Sequence, residues 1–434
     1  MNRIYTVGSS NYKSDAKEDY MTTNMNQNLA YKLSLENISN LDDREHLEFM
    51  INEYKKYRFL WRNQCGIFTD DMAPNASTSL RLLCLDIETA AICDLACPFC
   101  YRQYEATPDK VMNFDLAISI IDQAAEMSVP SIKFNWRGEP LLNKDLPELI
   151  HYAKTRGILE TIINTNATRL DTITSQRLIE SGLDVLIFSF DGGTKETYEK
   201  MRPGRFHKNQ FEDVLNNIKQ FHIIRKQSAS LFPFTRIQFV VTQETQSEIQ
   251  NFKYLFDDIV DDVTTKQYTE RGGNLQDLSE QDKVNINEHV SPTDYILKTH
   301  EGRYYKSVGR LPCEQPYQRL LVTYDGRVGM CCYDWGARHP VGYVSETAWV
   351  HGPSDLEKTL QLSKGDAPAF DLLKNIKQPL TYNEPNLTVN TLAEIWSGYE
   401  ISRVRNAHAN RAHSDVEICR KCPFKDTYNW VEVS

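Results

Sequence analysis

Apolar positions along the middle of the chain fall into short runs that alternate with longer stretches of helical spacing. The alternation begins near Ser79. Residues 80–87 form an apolar run of strand length, and residues 114–127 repeat apolar side chains at helical intervals. The pair then recurs. Strands are predicted at 131–136, 159–164, 185–190, 236–241 and 262–268, and helices at 146–154, 173–181, 211–224 and 248–256. Short strands joined through helices make parallel βαβ units, because a parallel partner is reached only by a long crossover. Six such units predict an α/β fold, a partial (β/α)6 barrel that stays open rather than closing at eight strands. Its functional side chains are then expected at the C-terminal ends of the strands.

The flanks read differently. Residues 1–78 form an N-terminal extension. Within it 24–36 is polar and weakly amphipathic, and 42–61 carries Leu47, Met50, Ile51, Tyr54, Tyr57 and Leu60 at helical spacing. That helix either caps the next domain or meets a substrate or partner. Residues 70–79, with Pro74, form a linker. The barrel occupies 79–300, with a polar boundary over 272–307. A C-terminal domain, 301–434, opens on a hairpin pattern (320–324, then 327–330) around Asp325–Gly326. It continues through a polar insert at 345–388 to an amphipathic helix at 392–407.

At 434 residues the chain exceeds one small core, so more than one domain is expected. The formal charge of -10 argues against a nucleic-acid-binding face. No apolar run opens the chain at 1–15, and none reaches the ~18 residues of a membrane span. A cytoplasmic protein that binds neither nucleic acid nor membrane is expected. In that reducing setting its ten cysteines point to metal or redox chemistry rather than disulfides.

Three of them are clustered. Cys93, Cys97 and Cys100 lie in Cys-Asp-Leu-Ala-Cys-Pro-Phe-Cys, directly after the first barrel strand. Three thiolates in eight residues can hold an iron–sulfur cube and leave its fourth iron open to a small molecule. A small zinc site is the bland alternative, but no histidine lies close by in sequence as a fourth ligand.

This segment resembles the radical S-adenosylmethionine superfamily, whose signature is Cys-x3-Cys-x2-Cys with an aromatic residue, here Phe99, before the last cysteine. The resemblance covers about 80–434. It implies a [4Fe–4S] cluster whose open iron binds the amine and carboxylate of S-adenosylmethionine. Electron transfer then breaks a C–S bond and gives a 5′-deoxyadenosyl radical. In residues 136–142, Gly138 and Glu139 match the family's Gly-Gly-Glu-Pro element, which holds the methionine amine, with Arg137 at the first glycine's place. The resemblance extends to Asn166, in the segment 164–168 that ends the third strand. It extends also to Ser189, in a Ser-x-Asp-Gly segment that contacts the cofactor. Arg202 either meets the cofactor carboxylate or is a solvated surface arginine.

A second set lies near the C-terminus. Cys313 is followed by Gly326 and Cys331, and much later by Cys419 and Cys422. The spacing resembles the twitch or SPASM domains that follow many radical S-adenosylmethionine cores. It implies one auxiliary [4Fe–4S] cluster held by those four cysteines. Residues 391–396 and Arg403 resemble the helix before the last pair. A zinc site with four cysteines is the structural alternative. Cys65 and Cys84 read as core residues. Cys332, beside a predicted ligand, is open to three roles: alternative ligand, hydrogen-atom donor to a substrate radical, or packing.

The domain order implies an oxidoreductase or epimerase that takes hydrogen from a C–H bond of a small polar, carbohydrate- or aminocyclitol-like substrate. It resembles aminocyclitol dehydrogenases and aminoglycoside epimerases, with a reductant such as flavodoxin or ferredoxin. The alternatives are a maturase acting on a peptide or protein, and an iron–sulfur scaffold or redox sensor.

Overall fold

A computed structural model describes residues 4–6, 41–64, 80–103, 109–242, 244–267, 296–298, 304–307, 313–337, 339–348, 388–420, 422 and 430–433. Cys65, the segments 24–36 and 70–79, most of 272–307 and most of the 345–388 insert lie outside them.

In chain order the elements are β1 (Ile4–Thr6), α1 (Leu41–Asn63), β2 (Cys84–Ile87), α2 (Phe114–Glu126), β3 (Ser131–Lys133), α3 (Leu146–Thr155) and β4 (Glu160–Thr165). Next come α4 (Thr172–Glu180), β5 (Val185–Ser189), α5 (Lys195–Met201), α6 (Phe211–Gln227), β6 (Phe234–Val241), α7 (Ile249–Phe256) and β7 (Asp262–Gln267). The C-terminal part adds β8 (Ile296–Lys298), β9 (Tyr304–Ser307), α8 (Gln315–Gln318), β10 (Arg319–Val322), β11 (Arg327–Gly329) and β12 (Pro340–Tyr343). It ends with α9 (Leu392–Ser397), α10 (Tyr399–Ala409), α11 (Glu417–Arg420) and β13 (Trp430–Val433).

The expected six strands, β2 to β7, pair in chain order and all in parallel. The sheet is open, with β7 and β12 as its edges. It is also longer than the sequence pattern suggests. β10 pairs in parallel with β2, from Arg319 on Cys84 to Val322 on Ile87, and β11 and β12 follow antiparallel. The hairpin after Cys313 therefore continues the barrel sheet. β1, β8, β9 and β13 form a separate four-stranded sheet.

Alternation along the strands sorts the two faces. Leu85, Ile87, Ile132, Phe134, Ile163, Leu186, Phe188, Ile237 and Phe239 join the main core with helix residues such as Ile120, Ile121, Leu149, Leu178 and Phe252. Burial of each such side chain contributes about 1.5–3 kcal/mol. The other face is polar towards β2, β3 and β10, where Asp86 pairs with Arg319 at 2.9 Å and both are buried. Beside them Ser131 donates to Glu160 at 2.8 Å. Farther round, Ile162, Val185, Ile187 and Phe234 form a small apolar patch.

α1 packs Tyr54, Tyr57 and Trp61 against Leu83, Cys84, Cys332, Tyr333 and Cys422. The bland expectation for this helix, a cap on the barrel, describes that packing. The single helix expected at 392–407 is two: Gly398, in extended backbone, ends α9 and caps α10. Its ψ of 171° cannot continue a helix.

Candidate active site

The loop after β2 carries Cys93, Cys97 and Cys100. Cys97 is buried, and its neighbours in the motif are half-buried. The Cys100 N–H donates to the Cys97 carbonyl at 3.0 Å, which closes the loop on itself. Asp94, inside the motif, anchors the loop to the end of β4. It accepts from Asn166 Nδ2 at 2.9 Å, the Thr168 hydroxyl at 2.8 Å and Arg169 Nε at 3.0 Å. The segment after α5 clamps the other side: Ala96 N–H donates to the Pro203 carbonyl and Arg205 N–H to the Asp94 carbonyl, each at 2.8 Å. Arg205 also reaches Asp109 at 2.7 Å.

Of the residues expected to hold the cofactor, Gly138, Glu139 and Asn166 meet the segment that carries the cysteines. After β3 the chain turns through Gly138 at φ +70°, a left-handed value costly to other residues. A Cβ there would sit 2.3 Å from the Ala90 carbonyl oxygen and 2.5 Å from that of Ile92. The next residue, Glu139, is buried and caps a short 3-10 turn. One carboxylate oxygen accepts from the Thr165 hydroxyl at 2.6 Å and Leu141 N–H at 3.0 Å, the other from Asn166 N–H at 2.7 Å. Burial, then the charge of Asp94, pushes its carboxyl up to about 7 despite those hydrogen bonds.

Arg137, at the place of a family glycine, makes a buried bidentate pair with Glu88 at 2.7 and 2.9 Å and donates to the Trp335 carbonyl at 3.1 Å. Phe99 packs with Tyr101, Trp136 and Trp335. Ser189 ends β5, half-buried. Arg202 is buried rather than on the surface. Its Nε donates to Asp191 at 2.8 Å, and its charge favours the nearby Cys97 thiolate.

The thiol set fits an iron–sulfur cube. Burial raises the Cys93 thiol to about 12 and lifts that of Cys97 well above its ordinary value. Thiolates held in such a place require compensating positive charge, which iron supplies.

The second set is assembled from three segments. Cys313, Cys331, Cys419 and Cys422 line one cavity with Pro316, Met330 and Ile418. Cys331 is pushed well above its ordinary value by burial and then by the neighbouring thiols, the same frustration that metal relieves. Cys332 does not line this cavity. It is buried against Tyr54, Tyr57 and Trp61, and its backbone carbonyl accepts from Trp136 Nε1 at 3.0 Å. Cys84 is buried on β2, as expected for a core cysteine.

Sequence reading missed Asp94, Arg205 and Glu88. Only Asp94 carried a signal, its place inside the cysteine motif. Arg205 and Glu88 act through contacts 96 and 49 positions away in the chain. Among the described residues no helix is long and apolar enough to cross a membrane.

Comparison with known proteins places this geometry. Residues 87–245 match the radical SAM superfamily. The Fe-coproporphyrin III synthase of Methanosarcina barkeri is 36% identical over 111 residues, 25% of this chain and 27% of that protein. A probable GTP 3′,8-cyclase of Sulfurisphaera tokodaii is 23% identical over 317 residues, 68% of this chain and 93% of that protein. The chain thus spans about a quarter of the first relative's length and most of the second's. The crystal structure of BtrN in complex with AdoMet and 2-DOIA aligns with a TM-score of 0.43 and 14% identity, over 80% of this chain and 94% of that one. Residues 87–245 of this protein are a radical SAM domain, of the family that uses a [4Fe–4S] cluster and S-adenosylmethionine.

Proposed function

We propose that this enzyme abstracts a hydrogen atom from a C–H bond of a small polar substrate and completes the reaction as an oxidation or an epimerisation. The observation that carries the reading is the joining of two thiol sets through one sheet, with a polar inner face between them. In this reading Cys93, Cys97 and Cys100 hold the cofactor cluster, and Cys313, Cys331, Cys419 and Cys422 hold an auxiliary one. The division into extension (1–78), barrel (79–300) and twitch-like auxiliary domain (301–434) belongs to the same proposal. When bound, the first cluster supplies the electron that cleaves S-adenosylmethionine to methionine and a 5′-deoxyadenosyl radical, and the second a one-electron acceptor or donor.

The chain's own residues do the rest. Glu139 takes the methionine ammonium, a charge-assisted bond. Gly138 lets the backbone approach the ligand, and Asn166 fixes both Glu139 and the cysteine loop. Phe99, Ser189 and Arg202 shape the rest of the cofactor pocket. Asp86, Arg319 and Glu160 make the inner face polar, but they are buried and paired within the protein beneath α1, which leaves half-buried Lys133 as the charged group there for a substrate to meet.

Cys332 separates the two outcomes. Its place outside the auxiliary cavity speaks against the ligand role and leaves donor and packing as the alternatives. In the epimerisation its S–H bond breaks as the inverted C–H bond forms. A flavodoxin- or ferredoxin-type reductant then returns one electron, and solvent a proton. The test uses candidate aminocyclitols and peptides deuterated at carbon. Deuterium in the released 5′-deoxyadenosine identifies the substrate class, and transfer from peptides alone would replace this reading with a maturase. In deuterated water, solvent deuterium at the inverted carbon, lost in Cys332→Ala, marks epimerisation. A product two hydrogens lighter, made equally by Cys332→Ala, marks oxidation with Cys332 as packing.

A further inference from the structure

We infer that His408 is a positioning residue of the auxiliary centre: its ring bridges the Cys313 backbone to the Cys419 sulfur and donates an N–H···S hydrogen bond that makes the centre easier to reduce. The inference rests on the auxiliary-cluster reading above.

His408 lies on α10 and is 1% exposed. Its Nδ1 accepts the Cys313 N–H at 3.2 Å. In the neutral ring an accepting nitrogen carries no hydrogen, so the ring hydrogen sits on Nε2. Nε2 lies 3.4 Å from Cys419 Sγ. One side chain thus ties together two cysteines that the sequence holds 95 and 11 positions away from it. The ring is itself held in place. On the preceding turn Arg405 donates to the Pro316 carbonyl at 2.9 Å and the Trp396 carbonyl at 2.7 Å, and its own carbonyl accepts from the Tyr317 hydroxyl at 2.6 Å. Two successive turns of α10 therefore grip the segment that begins at Cys313.

The chemical consequence follows from the sulfur. A ligand thiolate that accepts a hydrogen bond gives less electron density to its iron. The reduced centre, richer in negative charge, gains more from the bond than the oxidised one, and the potential rises. Pro316, Met330 and Ile418 line the same cavity, so the protein N–H works in apolar surroundings where it counts for more.

The test uses the full chain with Cys93→Ala, Cys97→Ala and Cys100→Ala, reconstituted anaerobically so that only the auxiliary centre is seen. Pulsed electron paramagnetic resonance on protein grown with 15N-histidine should show a histidine nitrogen coupled to the reduced centre, and His408→Phe should lose it. In a redox titration His408→Phe should lower the ratio of reduced to oxidised centre about tenfold at a given potential, about 59 mV for one electron. His408→Gln, which restores an N–H, should recover part of the shift. A parent spectrum without histidine coupling overturns the inference, as does His408→Phe with its iron intact and an unchanged midpoint. If His408→Phe loses its iron, the labelled parent still decides. A parent background free of iron defeats the auxiliary-cluster reading itself, and the inference with it.

Discussion

Glu139 carries the most informative charge in the site. Its carboxyl, near 7 when folded, compares with 4.5 as the ordinary value. The folded pKa is raised, so this group's contribution to stability is fully present below about 4.5 and is lost as pH climbs towards 7. Glu139→Gln should flatten that part of the melting profile of cofactor-free protein between pH 5 and 7. Cofactor binding has the opposite dependence, because the ammonium requires the anion. Affinity for S-adenosylmethionine should rise with pH by up to about tenfold per unit below pH 7 and level off above it. Glu139→Gln should bind weakly at every pH, losing about 1.5–3 kcal/mol, as read by anaerobic calorimetry. Gly138→Ala meets two carbonyl oxygens as well as a left-handed backbone, itself worth about 1–2 kcal/mol. Its melting temperature should fall, and it should retain less of the cofactor cluster. Gly138 and Glu139 stand out in the sequence because a short motif names them. Arg202 does not, because nothing local distinguishes a buried arginine paired with Asp191 from a solvated one.

Among the elements, the ends of β2 and β3 are locked by Glu88 and Arg137. Removing one partner of a buried pair leaves the other charged and uncompensated. Glu88→Gln should cost about 3–5 kcal/mol in urea unfolding, and adding Arg137→Met should recover much of it. Equal losses in the single and double variants would show that the pair matters only as packing. Most strands of the barrel were legible as apolar runs between stretches of helical spacing, whereas β7, with Val263 its one apolar residue, was legible only by its place after a helix. Their ends were not, since β3 is a strand for only Ser131–Lys133 before the chain turns into the Trp136–Gly138 loop. α5 went unread at seven residues, too short to show a period. The partner of β10 was equally hidden: 319–322 shows a strand, but nothing in it shows that its neighbour is β2, more than two hundred positions earlier.

At the scale of the molecule, one sheet runs from β7 through the barrel to β12, so the Cys93–Cys100 loop after β2 and Cys331 after β11 hang from the same scaffold, while α11 brings Cys419. The four C-terminal cysteines were legible as a set only through the resemblance their spacing carries, and their common cavity and the bridge by His408 depend on packing that spacing does not encode. Anaerobic reconstitution should load about eight irons per chain, and Cys93→Ala, Cys97→Ala, Cys100→Ala about four. Four irons with zinc in the parent would remove the auxiliary cluster and leave the radical SAM domain untouched. The central claim, that Cys93, Cys97 and Cys100 hold the cluster that cleaves the cofactor, is tested most directly by measuring 5′-deoxyadenosine from reduced, reconstituted protein and S-adenosylmethionine without added substrate. The parent should release 5′-deoxyadenosine and methionine together, slowly, and Cys97→Ala should release neither. Continued release by Cys97→Ala would contradict the account.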